Sequence, residues 1–466
     1  MLDSLSPAGA DPAALLPRPP MPERVRSQLE SFLVLRRNPL ELWGRPAYRE
    51  LVLPGRFLGR PQLVLNDPAA IRHVLLGNHT NYQRTEPTRR VLRPVLGEGL
   101  FLAEGERWRQ QRRVISPALA PRVLPVLARH VASVARDAEE RIAVMRGRPM
   151  QLMPVLQRLT LDVAGRSMFS LEMERFGDRL RGLLTRYGLN LAKVGLLDLL
   201  APTQDWTPLA RAREAFRRDW LGLMDAMIEA RASQPGSPDR PRDLFDLLEA
   251  ARDGDTGASI GRDLLRDEVS TLILAGHETT AVALFWACYV AARLPEHQDA
   301  ILAEAETAGD ALEPDGAGAV LDRLPRTRAF LDETLRLYPP AYLVVREAMA
   351  ADRIGDLPVE PGTVISISPW LLHRHERFWD RPERFDPDRF APGRPPPDRM
   401  VYMPFGAGPR ICVGMQFALA EAVLVLARLV RRFRIELPGR GEVVPRAVVT
   451  TQPDRLVPFR LVSRRG

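Results

Sequence analysis

Cys412 is the residue whose surroundings point most directly to chemistry. It closes the run Pro404-Phe405-Gly406-Ala407-Gly408-Pro409-Arg410-Ile411 and is followed by Val413-Gly414. Gly406, Gly408 and Pro409 impose a tight, irregular backbone before the thiol, and helical periodicity starts directly after it. A thiolate at a helix N-terminus is stabilised by unpaired amides and the helix dipole. Small neighbours let a planar cofactor approach the sulfur, and Arg410 offers a cation to an acidic group of that cofactor. A single thiolate with no Cys or His partner nearby suits an axial haem ligand, not zinc. The plain alternative is a buried apolar cysteine, which explains neither the glycines nor the arginine.

A second constellation is Ala275-Gly276-His277-Glu278-Thr279-Thr280, inside a long apolar segment. A carboxylate in such surroundings is expensive unless it is paired or functional. Gly276 weakens the helix, and the Thr279 hydroxyl can bond back to the Ala275 carbonyl four residues earlier. Together these predict a local kink that opens a groove.

The cysteine segment resembles the haem-binding loop of the cytochrome P-450 superfamily, the haem-thiolate monooxygenases. The pattern Phe-Gly-x-Gly-x-Arg-x-Cys-x-Gly is matched at each fixed position by Phe405, Gly406, Gly408, Arg410, Cys412 and Gly414. The resemblance implies haem b (iron protoporphyrin IX) with Cys412 as its iron ligand. It also implies that Ala275 lines the haem, and that Glu278 and Thr279 are the acid and alcohol of proton delivery during oxygen activation. His277 is expected to point away and to be structural. Glu333-Thr334-Leu335-Arg336 alone is a helix-surface pair of small value. Within the resemblance it is the Glu-x-x-Arg signature, and its arginine partner is Arg389 in preference to Arg384. The resemblance further implies that Trp108 and Arg112, four apart and on one helical face, meet one haem propionate, and that Arg346 meets the other. Arginine suits this task because it binds carboxylates bidentately and stays charged.

The implied reaction inserts one atom of O2 into an apolar substrate of fatty acid, terpenoid or steroid type. Electrons are expected from an external ferredoxin or flavodoxin with its NAD(P)H reductase, docked near Arg109, Arg112 or Arg113. The competing reading is a haem-thiolate peroxygenase, isomerase or dehydratase that needs no O2 activation. The pair Glu278-Thr279 argues against it.

These residues need elements to hold them. Helical spacing predicts helices at Trp108–Ser116, Arg122–Arg146, Leu152–Phe169, Leu244–Ala251, Leu331–Tyr338 and Gly414–Arg432, and one long buried helix from about Arg262 to Leu294. Strand signals fall at Leu51–Leu53, Gln62–Leu65, Ala341–Val345, Arg353–Ile354 and Val364–Ser368, with Pro54-Gly55 read as a turn. Asp67-Pro68 reads as a helix start. The expected architecture is mainly α (α+β): a Pro-rich arm at residues 1–40, then one helix-rich domain at residues 41–466 with small β-sheets. The haem is expected between the long central helix and the helix after Cys412. The substrate pocket is expected to be lined by Arg90–Phe101, Leu272–Ala275, Ala341–Val345 and Thr450–Gln452, under a cover formed by Leu183–Pro202.

Composition narrows the class. The 466 residues are 45% hydrophobic and 27% charged, too apolar for a disordered chain. Two cysteines exclude a disulfide scaffold or a four-cysteine zinc site. The net charge of +8 comes with a single lysine, Lys193, so nearly all the cations are arginine. That bias reads as a GC-rich, bacterial genome. No basic run with interleaved aromatics accompanies it, which argues against nucleic acid. No signal peptide or transmembrane anchor is expected, hence a soluble, cytoplasmic protein; a monomer is also expected.

Overall fold

The computed structural model describes residues 15–24, 26–170, 175–192, 198, 209–234, 241–252, 257, 259–439 and 441–464. Of the expected cover Leu183–Pro202, residues 193–197 and 199–202 lie outside this set. Helices dominate, and short strands lie mainly towards the two ends of the chain, the mainly α (α+β) architecture expected.

The centre is the helix Arg262–Arg293. From Ala281 to Ala291 every residue is buried, because apolar side chains occupy its whole circumference. It packs on the helices Leu152–Phe169, Met415–Arg432, Glu86–Leu96 and Pro325–Leu337. Its length and apolarity would suffice to cross a membrane, but 67% of its most apolar stretch is buried inside the protein, which makes it a core helix. One large apolar core surrounds its C-terminal half, and a second lies around its N-terminal half.

A five-stranded sheet flanks the helices, in the order Val52–Phe57, Arg60–Leu65, Val364–Ile367, Val344–Ala348, Tyr82–Gln83. Only the Arg60–Leu65 and Val364–Ile367 pair is parallel. The first hairpin differs from the expected one. Pro54 and Gly55 are strand residues, and the turn is Leu58-Gly59, both at positive φ. Val52–Phe57 is the edge strand, where a proline lacking N–H is tolerated. A two-residue hairpin needs positive φ at its centre.

Two other boundaries shift. The Glu333 helix begins at Pro325, not Leu331. Its first amides are capped by the Glu304 carboxylate, which accepts from Arg326 N at 2.6 Å and Thr327 N at 2.7 Å. That cap comes from a different helix and leaves no local sequence signal. The strand read at Ala341–Val345 forms at Val344–Ala348. Asp67 does cap Pro68–Arg72, through Ala70 N. In the N-terminal arm Leu16 is buried, Tyr338 donates to the Pro17 carbonyl at 2.9 Å, and Ser27 with Glu30 forms a capping box at Gln28–Arg37.

Candidate active site

The Cys412 loop folds as its glycines require. Gly406 and Gly408 both sit at positive φ, and a Cβ on Gly408 would fall 2.1 Å from the Leu75 carbonyl oxygen. Cys412 N donates to Phe405 O at 2.9 Å, closing the loop. The helix Met415–Arg432 then starts three residues beyond the thiol. Burial pushes the Cys412 thiol up, opposed by the Gly414 N–H and the Arg112 guanidinium. The sulfur belongs to the wall of a cavity of about 460 Å³ between this loop and the central helix.

A buried polar lock fixes the far side of the loop. Arg336 binds Glu333 bidentately, at 2.7 and 2.8 Å, and both side chains are fully buried. Arg336 also donates to the carbonyls of His373, Pro382 and Arg384. Arg389 approaches Glu333 at 3.5 Å, whereas Arg384 contributes its backbone carbonyl, so the arginine chosen from the sequence is the one the structure brings to Glu333. His373 completes the lock. Nδ1 lies 3.2 Å from the Arg336 carbonyl and Nε2 accepts from Met403 N at 3.0 Å. Only a neutral ring with its proton on Nδ1 satisfies both contacts. Burial, with Arg336 and Arg374 nearby, accordingly pushes this imidazole down to about 3. Met403 lies just before the loop, so the lock holds the segment that presents Cys412.

The central helix forms the opposite wall. Glu268, Thr271, Leu272, Ala275, Gly276, Thr279, Thr280 and Ala283 all face the cavity. Their spacing of three and four places them on one stripe. The helix runs unbroken across Ala275–Thr280, so the expected kink is not a break in its hydrogen bonding. The opening has a simpler cause: a Cβ on Gly276 would meet nothing within 4 Å. Thr279 Oγ1 donates to the Ala275 carbonyl. Glu278 is turned off this stripe. Its Oε1 accepts from Thr450 Oγ1 at 3.1 Å and Gln452 Nε2 at 2.5 Å. Burial raises its carboxyl against those two bonds. The structure therefore separates the acid from the alcohol: Thr279 faces the cavity and Glu278 does not. The Thr450–Gln452 turn, expected in the pocket wall, instead holds Glu278 and is absent from that wall. Ala341, Leu343, Val344 and Val345 do line the cavity, and so do Leu100 and Phe101. His277 is buried and turned off the cavity, as expected.

A third wall is cationic. Arg84, Arg112, Arg346 and Arg410 all line the cavity, with Trp108 between them. Arg410 lies over the Trp108 ring at 4.3 Å and Arg112 donates to Ile411 O at 2.9 Å. Glu104 pairs with Arg84 at 3.1 Å and also with Arg410. Among the described residues no carboxylate pairs with Arg112 or Arg346. Burial, then the neighbouring Arg84, pushes Arg346 down to about 9 and Arg410 to about 10. Four guanidiniums against one acid form a desolvated positive site that a dianion would relieve. Arg109 and Arg113 instead reach outward to Glu106, so of the three arginines expected at the docking face, Arg112 belongs to the cavity.

Sequence reasoning missed Arg84, Glu104, Glu268 and Glu421. Glu421 lines the cavity with Oε1 unpartnered, and burial pushes its carboxyl well up. Arg84 and Glu104 had no signal beyond their types. Glu268 and Glu421 could have been flagged as acids within apolar helices.

The comparisons agree with this geometry. The family model for Cytochrome P450 matches residues 52–456. The chain is 33% identical over 452 residues to cyclooctatin synthase of Streptomyces melanosporofaciens, covering 91% of this chain and 92% of that protein. It is 31% identical over 420 residues to cyclooctat-9-en-7-ol 5-monooxygenase of the same organism, covering 87% of each. The crystal structure of the cytochrome P450DA heme domain superposes with a TM-score of 0.79 at 24% identity, over 97% of this chain and 98% of that one, a likeness of fold. The chain belongs to the cytochrome P450 family. Within it, the protein is a monooxygenase with a haem-thiolate iron cofactor.

The residues present fit that cofactor. One thiol faces the cavity, opposite the open Gly276 groove, and a surplus of buried guanidiniums is placed to meet two carboxylates.

Proposed function

We propose that this enzyme inserts oxygen into an apolar substrate held along the central-helix stripe, with iron protoporphyrin IX seated between Cys412 and Gly276. The carrying observation is that the Cys412 thiol and the Thr279 hydroxyl face one cavity whose remaining wall is largely apolar, including Leu119, Leu127, Met168 and Leu244. When bound, the haem iron supplies the activation of O2 and the oxidation of the substrate.

The chain's own residues bind, orient and move protons. Cys412 ligates the metal through sulfur. Trp108, Arg112, Arg346 and Arg410 hold the propionates, with Arg84 beside them. Phe405, Gly406 and Gly414 shape the loop around the sulfur, and Ala275 and Gly276 leave room above the ring. The Thr279 hydroxyl, anchored on Ala275 O, can pass a proton into the groove. Glu278, whose carboxyl burial raises against its bonds to Thr450 and Gln452, is the acid one residue away. Reaching Thr279 requires its side chain to leave those partners, which gives the step a gate.

Electrons come from an external ferredoxin or flavodoxin served by an NAD(P)H reductase, and the exposed Arg109 and Arg113 offer an acidic partner a docking face. An apolar substrate is supported by the lining and by the relatives' names, one of which specifies an alcohol, cyclooctat-9-en-7-ol.

The test is the carbon monoxide difference spectrum of the reduced protein, paired with Thr279→Ala. A red-shifted Soret band is expected, and its absence sinks the thiolate assignment. Thr279→Ala should keep consuming O2 while product per O2 falls about tenfold or more. Full coupling in that variant counts against the hydroxyl's role.

A further inference from the structure

Glu268 is a buried acid that the oxygen-activating machinery does not use. It lies on the same face of the central helix as Thr271, Ala275 and Thr279, and like them it belongs to the cavity wall. The rise of an α-helix puts it roughly 12 Å along the axis from Gly276, at the N-terminal end of the stripe that lines the cavity. The residue is fully buried.

Its two oxygens have different environments. Oε1 accepts from Leu100 N at 2.7 Å and so helps fasten the loop 97–100 to the helix. Oε2 is buried and has no hydrogen-bond partner in the protein. The fastening does not depend on Glu268 alone. Asp267 Oδ2 accepts from Glu98 N at 2.8 Å, and Gly99 comes close enough that a Cβ there would lie 2.5 Å from Thr271 Oγ1. A loop staple needs one acceptor, whereas a carboxyl presents a second oxygen that is expensive to bury unpaired. Burial, reinforced by Asp267, pushes this group up to about 8, so at neutral pH it is a neutral acid able to donate. A donor at the end of an apolar cavity selects for an acceptor oxygen on an otherwise apolar molecule.

We infer that Glu268 Oε2 anchors a hydroxyl or carbonyl oxygen on the substrate, at the end opposite the carbon that is oxidised. This rests on the proposed apolar substrate and deepens it. The substrate carries an oxygen function before this enzyme acts, and its skeleton spans roughly 12 Å, the length of a polycyclic framework or extended chain, not of a single ring. The reaction that supplies it must therefore leave one hydroxyl or carbonyl on the skeleton. Glu268 here selects and aligns; it takes no part in bond cleavage.

The experiment measures binding to the holoenzyme by the substrate-induced spin shift, with two ligand pairs: 5α-androstan-3-one against 5α-androstane, and 1-dodecanol against dodecane. In the wild type the oxygenated member of at least one pair should bind about tenfold or more tightly. Glu268→Gln keeps an acceptor for Leu100 N and a donor for the ligand, so the preference should persist. Glu268→Met removes both, and the preference should vanish while the hydrocarbon binds as before. Equal affinities within both pairs in the wild type, or a preference that survives in Glu268→Met, overturns the assignment and leaves the apolar-substrate reading intact. Should Glu268→Met fail to fold, Glu268→Asp decides: the shortened acid must lose the preference for the assignment to stand. A wild type that shifts with none of the four ligands overturns the apolar-substrate reading itself, and this inference with it.

Discussion

Glu333 and Glu268 are both fully buried glutamates on helices that meet in the core, and their surroundings are opposite. Glu333 accepts from two nitrogens of Arg336 and from Asp386 N at 2.8 Å, and has Arg389 beside it. Glu268 accepts from one backbone amide, and its other oxygen is buried without a partner in a residue of the cavity wall. The same side chain thus does two kinds of work. Where its oxygens are engaged by fixed partners it defines the shape of a loop. Where one is left over beside a cavity, it is available to something that comes and goes. The cationic wall repeats the lesson. Arg336 is saturated by one carboxylate and three carbonyls, whereas Arg346 finds, among the described residues, only the neighbouring Val345 carbonyl as acceptor and lines the cavity.

The strongest way to break the comparison is the same substitution at both sites. Glu333→Gln removes the charge that balances Arg336 and Arg389, and breaking such a pair costs about 3–5 kcal/mol. Thermal unfolding should show that loss or failure to fold. Glu268→Gln should stay within about 1 kcal/mol of the wild type, because the amide still accepts from Leu100. Equal losses at both positions would erase the distinction.

A smaller effect separates the two arginine environments. Arg346→Leu should leave the haem-free protein at least as stable, since it relieves a buried cation, yet speed loss of haem to an acceptor apoprotein. One charge-assisted contact is worth about 1.5–3 kcal/mol, so the off-rate should rise roughly tenfold to a hundredfold. Unchanged haem retention would remove Arg346 from the propionate site.

The smallest effect is in the pH profile. Burial holds His373 down to about 3 and His277 down to about 4. The unfolded imidazoles take up protons near 6.5, so below that pH the unfolded chain binds more protons and stability falls. By pH 5.5 each histidine should account for a loss of roughly 1 kcal/mol. Glu268 acts with the opposite sign. It is pushed up to about 8, so the native state keeps a proton that the unfolded chain releases near 4.5. Stability therefore falls as pH rises between those values, and Glu268→Gln should flatten that limb in denaturant titrations across pH. A limb unchanged by the substitution would mean that Glu268 is ionised in the native protein.

Much of this was legible in the residues. The Cys412 loop is local: its glycines take the positive φ their lack of Cβ permits, and the helix that follows starts where periodicity resumes. The central helix is apolar enough to be recognised as buried, whereas the preference for Arg389 over Arg384 came from the family resemblance and not from the residues themselves. The errors fall where the deciding contact comes from far along the chain. Pro54-Gly55 looks like a turn until Leu63 pairs with Pro54 across the hairpin. The Glu333 helix starts early because Glu304 caps it from another helix. Glu278 reads as half of an adjacent acid and alcohol pair, yet consecutive positions on a helix point in different directions, and Thr450 with Gln452 was waiting on one side only.

The sequence by itself determined which atoms can do chemistry here: one thiol held by glycines, one hydroxyl beside a carbonyl, and more arginines than acids to match them. Backbone conformation and helical periodicity are properties of neighbouring residues, so they survive in a linear reading. Only the tertiary structure decided which of the buried polar groups are saturated. A hydrogen bond is satisfied by whatever donor packing brings within about 3 Å, and that donor can lie anywhere in the chain. That difference, between the four-sided embrace of Glu333 and the single amide on Glu268, separates a polar group that holds the protein's shape from one with an oxygen left over in the cavity wall.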